Sequence, residues 1–237
     1  MNHEAFFKIS YGLYIISTEF NGKKNGYVGN TSFQVTADPS QLAISCHKEN
    51  YTTDMIRKSG NFSMSVLKKE AKAELIGLFG YQSGKNVDKF KGIAHKTGAS
   101  GAPIVLEDSV AWFDCKVVNE FDVGTHVIFI GEIVQHELVD KYSEALTYEY
   151  YREVKKGLAP KNAPTYVEQE KEAVAEKKME AGDKALKKFK CVICAFVYDP
   201  AKGDPGLNIP PGTSFEDLPD DYECPICGAG ADMFDEL

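Results

Sequence analysis

The sequence predicts a mainly β chain with a few helices, followed by a small C-terminal domain held by a metal ion. Short strand-like segments fill most of the first part, helical segments are few, and four of the six cysteines lie after residue 190. A chain of 237 residues has room for two domains. We expect a first domain at 1–155, a partly helical linker at 156–188 and a metal domain at 189–237.

The first domain reads as a series of antiparallel strands. Segments of strand length, such as LAISCHK, FSMSVL and HVIFIGEIV, are bounded by Gly, Asn or Asp. Two helices are predicted between them, one in TTDMIRKSG that ends at Gly60 and one in KKEAKAELIGLF. Many strands with few helices favour a closed or split barrel. No GxGxxG turn joins a strand to a helix, which argues against a Rossmann dinucleotide site.

The segment that follows is rich in Glu, Lys and Ala and predicts a short solvated helix or a semi-flexible tether. Glu180 with Lys184 and Asp183 with Lys187 form favourable i,i+4 pairs in VEQEKEAVAEKKMEAGDKALKK, whereas Gly182 interrupts the pattern. Such a tether would let the metal domain swing.

The C-terminal cysteines have the spacing of one tetrahedral metal site, with ligands Cys191, Cys194, Cys224 and Cys227. A Cys-x2-Cys turn points two thiolates in the same direction, and two such turns supply a four-sulfur cage. Spacing alone does not choose between iron and zinc. The remaining cysteines, Cys46 and Cys115, stand in apolar segments and are expected to be small core residues.

Charge is concentrated in the metal domain. Residues 189–237 contain ten acidic residues against two lysines, which accounts for the whole net charge of −8. This acidity argues against nucleic acid as a partner and favours docking to a protein with a basic face. No apolar segment is long enough to span a membrane and no secretory segment precedes the chain, so we expect a cytoplasmic protein.

The C-terminal segment resembles rubredoxin almost end to end. The resemblance lies in VYDP, GDP, PPGT and FEDLPDDYECPICG, a set that ordinary zinc ribbons lack. Two positions depart from the rubredoxin pattern, because Ala195 replaces the usual Gly and Tyr222 the usual Trp. The resemblance implies one iron ion as the metal.

The first domain is similar to the flavin reductase family, whose fold is an FMN-binding split β-barrel. The resemblance rests on the order NTSFQVTADPSQLAISCHKENYT, NFSMSVL, SGKNVDKF and DVGTHVIFIGEI. With the fused rubredoxin, the chain resembles the high-molecular-weight rubredoxins of anaerobes. By this resemblance the cofactor-binding residues are Asn30, Thr31, Ser32, Gln34, Ser45, Cys46, His47, Lys48, Asn50, Tyr51, Thr52 and Lys89.

Hydroxyl, amide and cationic groups in that set suit a phosphate and the polar edge of a flavin. Without the resemblance, a cluster of Ser, Thr and Asn reads as an ordinary turn. Lys89 is the weaker candidate, because a lysine in such a segment is more often solvated. His126 matches the family histidine near nicotinamide and flavin and is the candidate catalytic residue.

The resulting hypothesis is electron transfer from NADH through FMN to iron, and on to a partner. Flavin converts a two-electron hydride into single electrons, which an iron with four cysteines accepts. By resemblance the partner is a flavodiiron protein that reduces nitric oxide or oxygen, and the flavin barrel is a homodimer. Two alternatives remain, namely a flavin reductase that releases reduced FMN, and a binding or sensor module with structural zinc.

Overall fold

A computed structural model describes residue 6 and residues 8–155, 187–194, 196–204, 207, 209–219 and 222–237. The predicted linker helix in 156–186 lies outside the described residues, as does Ala195. In the described part of the chain, no helix is long and apolar enough to cross a membrane.

The first domain is built on an antiparallel sheet in the order β2-β1-β5-β8-β9-β4-β3. Its strands are β1 (Tyr14–Phe20), β2 (Lys23–Gly29), β3 (Ser32–Ala37), β4 (Ser40–His47), β5 (Asn61–Leu67), β8 (Ser109–Asp122) and β9 (His126–Leu138). The short strands β6 (His95–Thr97) and β7 (Pro103–Val105) form a separate pair.

The barrel is split between β2 and β3. These strands are joined by Asn30 and Thr31, yet they lie at opposite ends of the strand order. The hydroxyl of Tyr27 on β2 lies 2.8 Å from Sγ of Cys46 on β4 and so bridges the opening. The predicted β-barrel with few helices is therefore confirmed.

Within residues 8–155, three α-helices accompany the sheet: α1 (Tyr51–Ser59), α2 (Ala73–Tyr81) and α3 (Tyr148–Glu153). Asn50 caps α1 by accepting a hydrogen bond from Thr52 N at 3.0 Å, and Gly60 ends it with a φ of 69°. α1 therefore has the predicted end. α2 begins at Ala73, later than the predicted KKEAKAELIGLF segment.

Both faces of the central strands are buried, which explains why the segments read as short apolar runs. Ile16 belongs to a cluster inside the barrel with Ile44, Phe62 and Phe129. Its neighbour Ile15 points to the opposite face, where a second cluster includes residues of α2 and α3. Successive strand residues alternate between faces, so one strand contributes to two cores.

The C-terminal domain has a small sheet in the order β11-β10-β12, formed by β10 (Phe189–Cys191), β11 (Val197–Tyr198) and β12 (Phe234–Glu236). Its core is rich in aromatic rings, which include Phe189, Phe196, Tyr198, Phe215, Tyr222 and Phe234. Tyr222 is buried in contact with Tyr198 and Phe215, so the position that departs from the rubredoxin pattern still supplies a core ring. A domain this small needs a metal in addition to such a core.

Candidate functional sites

The four predicted ligand cysteines form one compact cluster. All four Sγ atoms lie within 4.8 Å of one another, with 3.6 Å between Cys191 and Cys227 and 3.5 Å between Cys194 and Cys224. Sulfur atoms about 2.3 Å from a central metal are separated by about 3.8 Å in a tetrahedron. The thiols therefore fit a single ion.

Backbone hydrogen bonds hold both cysteine turns in place. Cys191 N donates to Phe196 O at 2.8 Å, and Cys224 N donates to Ala229 O at 2.7 Å. Gly228 follows the second turn with a φ of 70°, where a Cβ would be strained. The neighbouring Cys194 thiol raises the pKa of Cys224 to about 12, and a metal cation at the site would favour its thiolate form.

Most of the predicted flavin-binding residues meet where β4 ends and α1 begins. Asn50 Oδ1 caps α1, the Thr31 carbonyl accepts from Ser45 N at 3.1 Å, and the Thr31 hydroxyl donates to Asn30 Oδ1. The Thr52 hydroxyl accepts a hydrogen bond from Asn25 Nδ2 at 3.0 Å. We call this region, formed by residues 30–31 and 45–52, the α1 corner.

Two residues of β2 contact the α1 corner but are absent from the sequence-based set. Asn25 is buried, and its Oδ1 has no hydrogen-bond partner in the described residues. The Tyr27 hydroxyl contacts Cys46, and burial raises the pKa of the Cys46 thiol to about 12, although the hydrogen bond from Tyr27 partly opposes this. Cys46 is thus a protonated, fully buried group, as expected of a core cysteine.

The histidines at this end are neighbours across β4 and β9. His47 pairs with His126 in the strand register, and their rings lie edge to face with centroids 4.9 Å apart. Nδ1 of His47 accepts from Glu49 N at 3.2 Å, and Nδ1 of His126 lies 2.8 Å from the Thr125 hydroxyl. The structure therefore brings the candidate catalytic histidine to the edge of the α1 corner.

Cations near the α1 corner are divided into two groups. Lys48, the cation named from the sequence, forms an ion pair of 2.6 Å with Asp122, which lowers the pKa of that carboxyl. Lys23 and Lys85 instead flank the Tyr51 ring, with Nζ at 5.0 and 5.6 Å from its centroid. Sequence analysis missed Lys23 and Lys85, because only the tertiary fold brings them to the first turn of α1.

Ser32 and Gln34 follow the α1 corner along edge strand β3. The Ser32 hydroxyl donates to Ala43 O at 2.9 Å, and Gln34 Nε2 donates to Thr36 O at 3.4 Å. Both residues line an open cavity of about 360 Å³ with Tyr14, Leu42, Met64 and Phe113. Ser32 directly follows Thr31 and pairs with Ile44, so it borders the α1 corner, and Gln34 lies two residues further along β3.

Lys89 is buried, so the expectation that it is solvated is wrong. It is 3% exposed, and its Nζ donates to Gly26 O at 2.9 Å and to Phe79 O at 3.0 Å. Burial lowers its pKa to about 8. Because Phe79 lies in the last turn of α2, Lys89 ties the end of this helix to β2.

Comparison with known proteins matches both parts of the chain. Residues 6–158 match the family described as flavin reductase like domain, and residues 188–234 match rubredoxin. The chain is 42% identical over 238 residues to a high molecular weight rubredoxin of Moorella thermoacetica, with 100% of both chains covered.

Two further similarities concern the first domain. The chain is 47% identical over 168 residues to a ferric-chelate reductase (NAD(P)H) of Archaeoglobus fulgidus, which covers 71% of this chain and 99% of the relative. Among solved structures, flavoredoxin from Methanosarcina acetivorans superposes with a TM-score of 0.52 at 24% identity, over 56% of this chain and 71% of that one. This likeness supports the barrel fold.

Proposed function

Since the chain belongs to the flavin reductase-like family and carries a rubredoxin domain, we propose that it passes electrons from NADH through FMN to iron and then to a partner protein. In general terms, the chain is an NAD(P)H-dependent oxidoreductase that uses flavin and iron. The observation that carries the proposal is a four-sulfur cage in the same chain as the flavin reductase-like barrel.

The two cofactors divide the chemistry by electron number. A bound flavin accepts two electrons with a hydride and releases them singly, whereas a four-cysteine iron takes one. The balanced reaction is NADH plus two ferric ions giving NAD⁺, one proton and two ferrous ions. The chain supplies position, and the tether holds iron near flavin at an effective concentration of roughly a millimolar.

We place the flavin at the α1 corner. The unpartnered Asn25 Oδ1 offers a buried acceptor, and the hydroxyls and amides of Thr31, Asn50 and Thr52 offer further polar contacts. Lys23 and Lys85, together with the first turn of α1, suit the phosphate. His126 at the edge of the corner is the proposed residue beside nicotinamide.

We further propose that two barrels associate through β3 and the outer halves of β8 and β9. Large apolar side chains are exposed there: Phe33, Val35, Val118, Phe121, Val123, Val134 and Leu138. Large apolar side chains exposed in this number favour a protein interface. A two-fold dimer would cover the same patch on both copies.

The partner we propose is a flavodiiron-type protein or another redox protein with a basic docking face. The support is the charge of residues 189–237, where ten acidic residues face two lysines. A cytoplasmic location is proposed with it, because reduced thiols persist in that compartment.

The test begins with the visible spectrum of the purified protein, followed by Cys194→Ser. Flavin and ferric-thiolate bands together support the relay, whereas a colourless zinc protein removes it. Cys194→Ser should lose or distort the iron site, because each thiolate is one of four ligands. NADH oxidation with a dye as acceptor should continue, and reduction of the partner should stop.

The matched control is Cys115→Ser, a buried cysteine of the barrel. It should keep the iron content and partner reduction if the barrel folds, which NADH oxidation reports. Normal partner reduction by Cys194→Ser would contradict the proposed path. Release of reduced FMN as the main product would favour a simple flavin reductase.

A further inference from the structure

The two cysteine turns, residues 191–194 and 224–228, form the metal edge of the C-terminal domain, and this metal edge packs against α2. A Cβ built on Gly77 would lie 3.1 Å from Cys227 Cβ and 3.2 Å from Ile193 Cγ2. A Cβ on Gly228 would lie 2.9 Å from Ala73 Cβ. Residues of both cysteine turns therefore rest on α2, at positions 73 and 77, which share one helix face.

Small side chains are what permit this contact. Gly77 has no Cβ, so its backbone approaches the second cysteine turn closely; a Cβ there would make an unusually tight contact and a longer side chain would push the turn away. A glycine in a helix interior costs about 1 kcal/mol relative to alanine, so its presence in α2 needs a packing reason. The close contact between Gly77 and the cysteine turns provides that reason.

The opposite side of α2 faces the barrel. Phe79 lies two residues after Gly77, on the other side of the helix, and a Cβ on Gly26 of β2 would lie 3.1 Å from Phe79 Cε1; β2 is the strand that also carries Asn25 and Tyr27. A helix is about 10 Å across, so one helix thickness separates the metal edge from the strand that lines the α1 corner. This placement suits electron transfer between the two sites.

Other side chains surround the contact between α2 and the metal edge. Tyr151 is buried, and its hydroxyl lies 3.1 Å from that of Tyr81. Burial is the main cause that raises the pKa of Tyr151, and the nearby Cys194 thiol adds to the shift. Lys72 directly precedes α2, and Lys155 donates to Ala71 O at 2.7 Å. Two cations therefore lie beside the face of α2 that the acidic domain contacts.

We propose that the Ala73–Gly77 face of α2 is the docking site where the chain's own metal edge receives its electron. One electron leaves the reduced flavin there and converts ferric iron to ferrous iron. Docking covers the cysteine turns, the surface nearest the iron, so internal reduction and delivery to a partner exclude each other. Each electron delivered to a partner requires one undocking step. The electron-transfer role rests on the proposed function, whereas the docking itself does not.

The test compares Gly77→Leu with Gly80→Ala in the iron- and flavin-loaded full chain. Gly77→Leu places its side chain against Cys227 and Ile193, whereas Gly80→Ala adds a methyl at ordinary contact distance from Val28. Ala73→Glu is a second disrupting variant, since an acidic residue suits the first turn of a helix and repels the acidic domain. Small-angle scattering measures the compactness of each variant, and stopped-flow spectroscopy measures each electron-transfer step.

Gly77→Leu and Ala73→Glu should expand the molecule and slow flavin-to-iron transfer about tenfold, which corresponds to losing about 1.4 kcal/mol of docking free energy. Reduction of flavin by NADH should stay normal, which also shows that the barrel is folded. Gly80→Ala should match the unaltered chain in every measurement. An unchanged shape in both disrupting variants would overturn the docking site, and an expanded shape with normal transfer would overturn its electron-entry role. If the unaltered chain shows no flavin-to-iron transfer, the relay fails, and scattering still decides the docking.

Discussion

A single buried lysine makes the stability of the barrel depend on pH. Lys89 donates to two backbone carbonyls, those of Gly26 and Phe79. Among the described residues, no carboxylate forms a hydrogen bond or an ion pair with it. Burial therefore disfavours its charged form and lowers its pKa from 10.5 to about 8. The protonated lysine still anchors the last turn of α2, so it has a positional role as well as an electrostatic cost.

Lys89→Met should flatten the pH dependence of unfolding above pH 8. Between a pKa of about 8 in the folded state and 10.5 in the unfolded state, the unfolded chain binds more protons. The free energy of unfolding should therefore rise with pH across this window and be lower below it. Denaturant unfolding followed by the fluorescence of Trp112, the single tryptophan, reports on the barrel.

Lys91→Met is the control, because Lys91 is exposed and two residues further along the chain. It should keep the rise in stability seen in the unaltered protein. Equal slopes in the Lys89→Met variant and the unaltered protein would mean that Lys89 does not cause the pH dependence.

At the scale of the element, α1 combines a structural cap with a proposed phosphate site. The Asn50 side chain satisfies Thr52 N, and Thr53 N donates to the Asn50 carbonyl at 3.0 Å. Lys23 and Lys85 lie around Tyr51 in the same first turn. Stability depends on this helix end, and so would flavin binding at the proposed site.

A pair of substitutions at Asn50 should separate these two roles. Asn50→Asp keeps the cap and should leave stability nearly unchanged, but its negative charge should weaken FMN binding by repelling the phosphate. Asn50→Ala should lower the free energy of unfolding of the flavin-free barrel by about 1 kcal/mol. Fluorescence titration with FMN and denaturant unfolding measure the two effects. Normal FMN affinity in Asn50→Asp would place the phosphate elsewhere.

The molecule as a whole separates a neutral barrel and linker from an acidic metal domain. Residues 1–188 contain 25 acidic and 25 basic residues, and residues 189–237 contain ten and two. Charge therefore acts mainly on encounters that involve the metal domain. Its effect extends over about 8 Å at physiological ionic strength and about 3 Å near 1 M salt.

Partner reduction should slow as salt rises, whereas hydride transfer from NADH to FMN should change little. Glu216→Gln with Asp217→Asn should lower the association rate with a basic partner and leave the iron spectrum intact, since both side chains are exposed. Stopped-flow measurements from low to high salt follow both steps together. A flat salt profile for partner reduction would mean that the acidic surface serves solubility only.

Dimerisation belongs to the same scale. Phe33→Asp should convert a dimer into monomers at micromolar protein, because Phe33 is 59% exposed in the proposed interface. Leu237→Asp, an exposed apolar residue of the metal domain, is the control and should leave the dimer intact. Sedimentation velocity measures both variants. A monomeric unaltered protein with full flavin occupancy would count against the interface.

Local patterns in the sequence were sufficient for the metal site and for the strand-rich fold. Cys191, Cys194, Cys224 and Cys227 form two short-range pairs whose turn geometry is local, so their clustering could be predicted. The end of α1 at Gly60 is likewise a local signal. By contrast, the predicted start of α2 was several residues too early. The observed helix begins at Ala73, because the helix-forming residues before it make loop contacts instead.

What the sequence determined by itself is therefore the division into a barrel and a metal domain, the ligand cysteines and the uneven charge. Only the tertiary structure decided that Ser32 and Gln34 line a cavity, that Lys23 and Lys85 lie beside the α1 corner, and that Lys89 is buried. It also decided that the metal edge rests on α2 at Gly77. The physical reason is range: cysteine spacing, helix caps and charge counts act between near neighbours in the chain, whereas burial and contacts between distant segments arise only when the sheet brings its strands together.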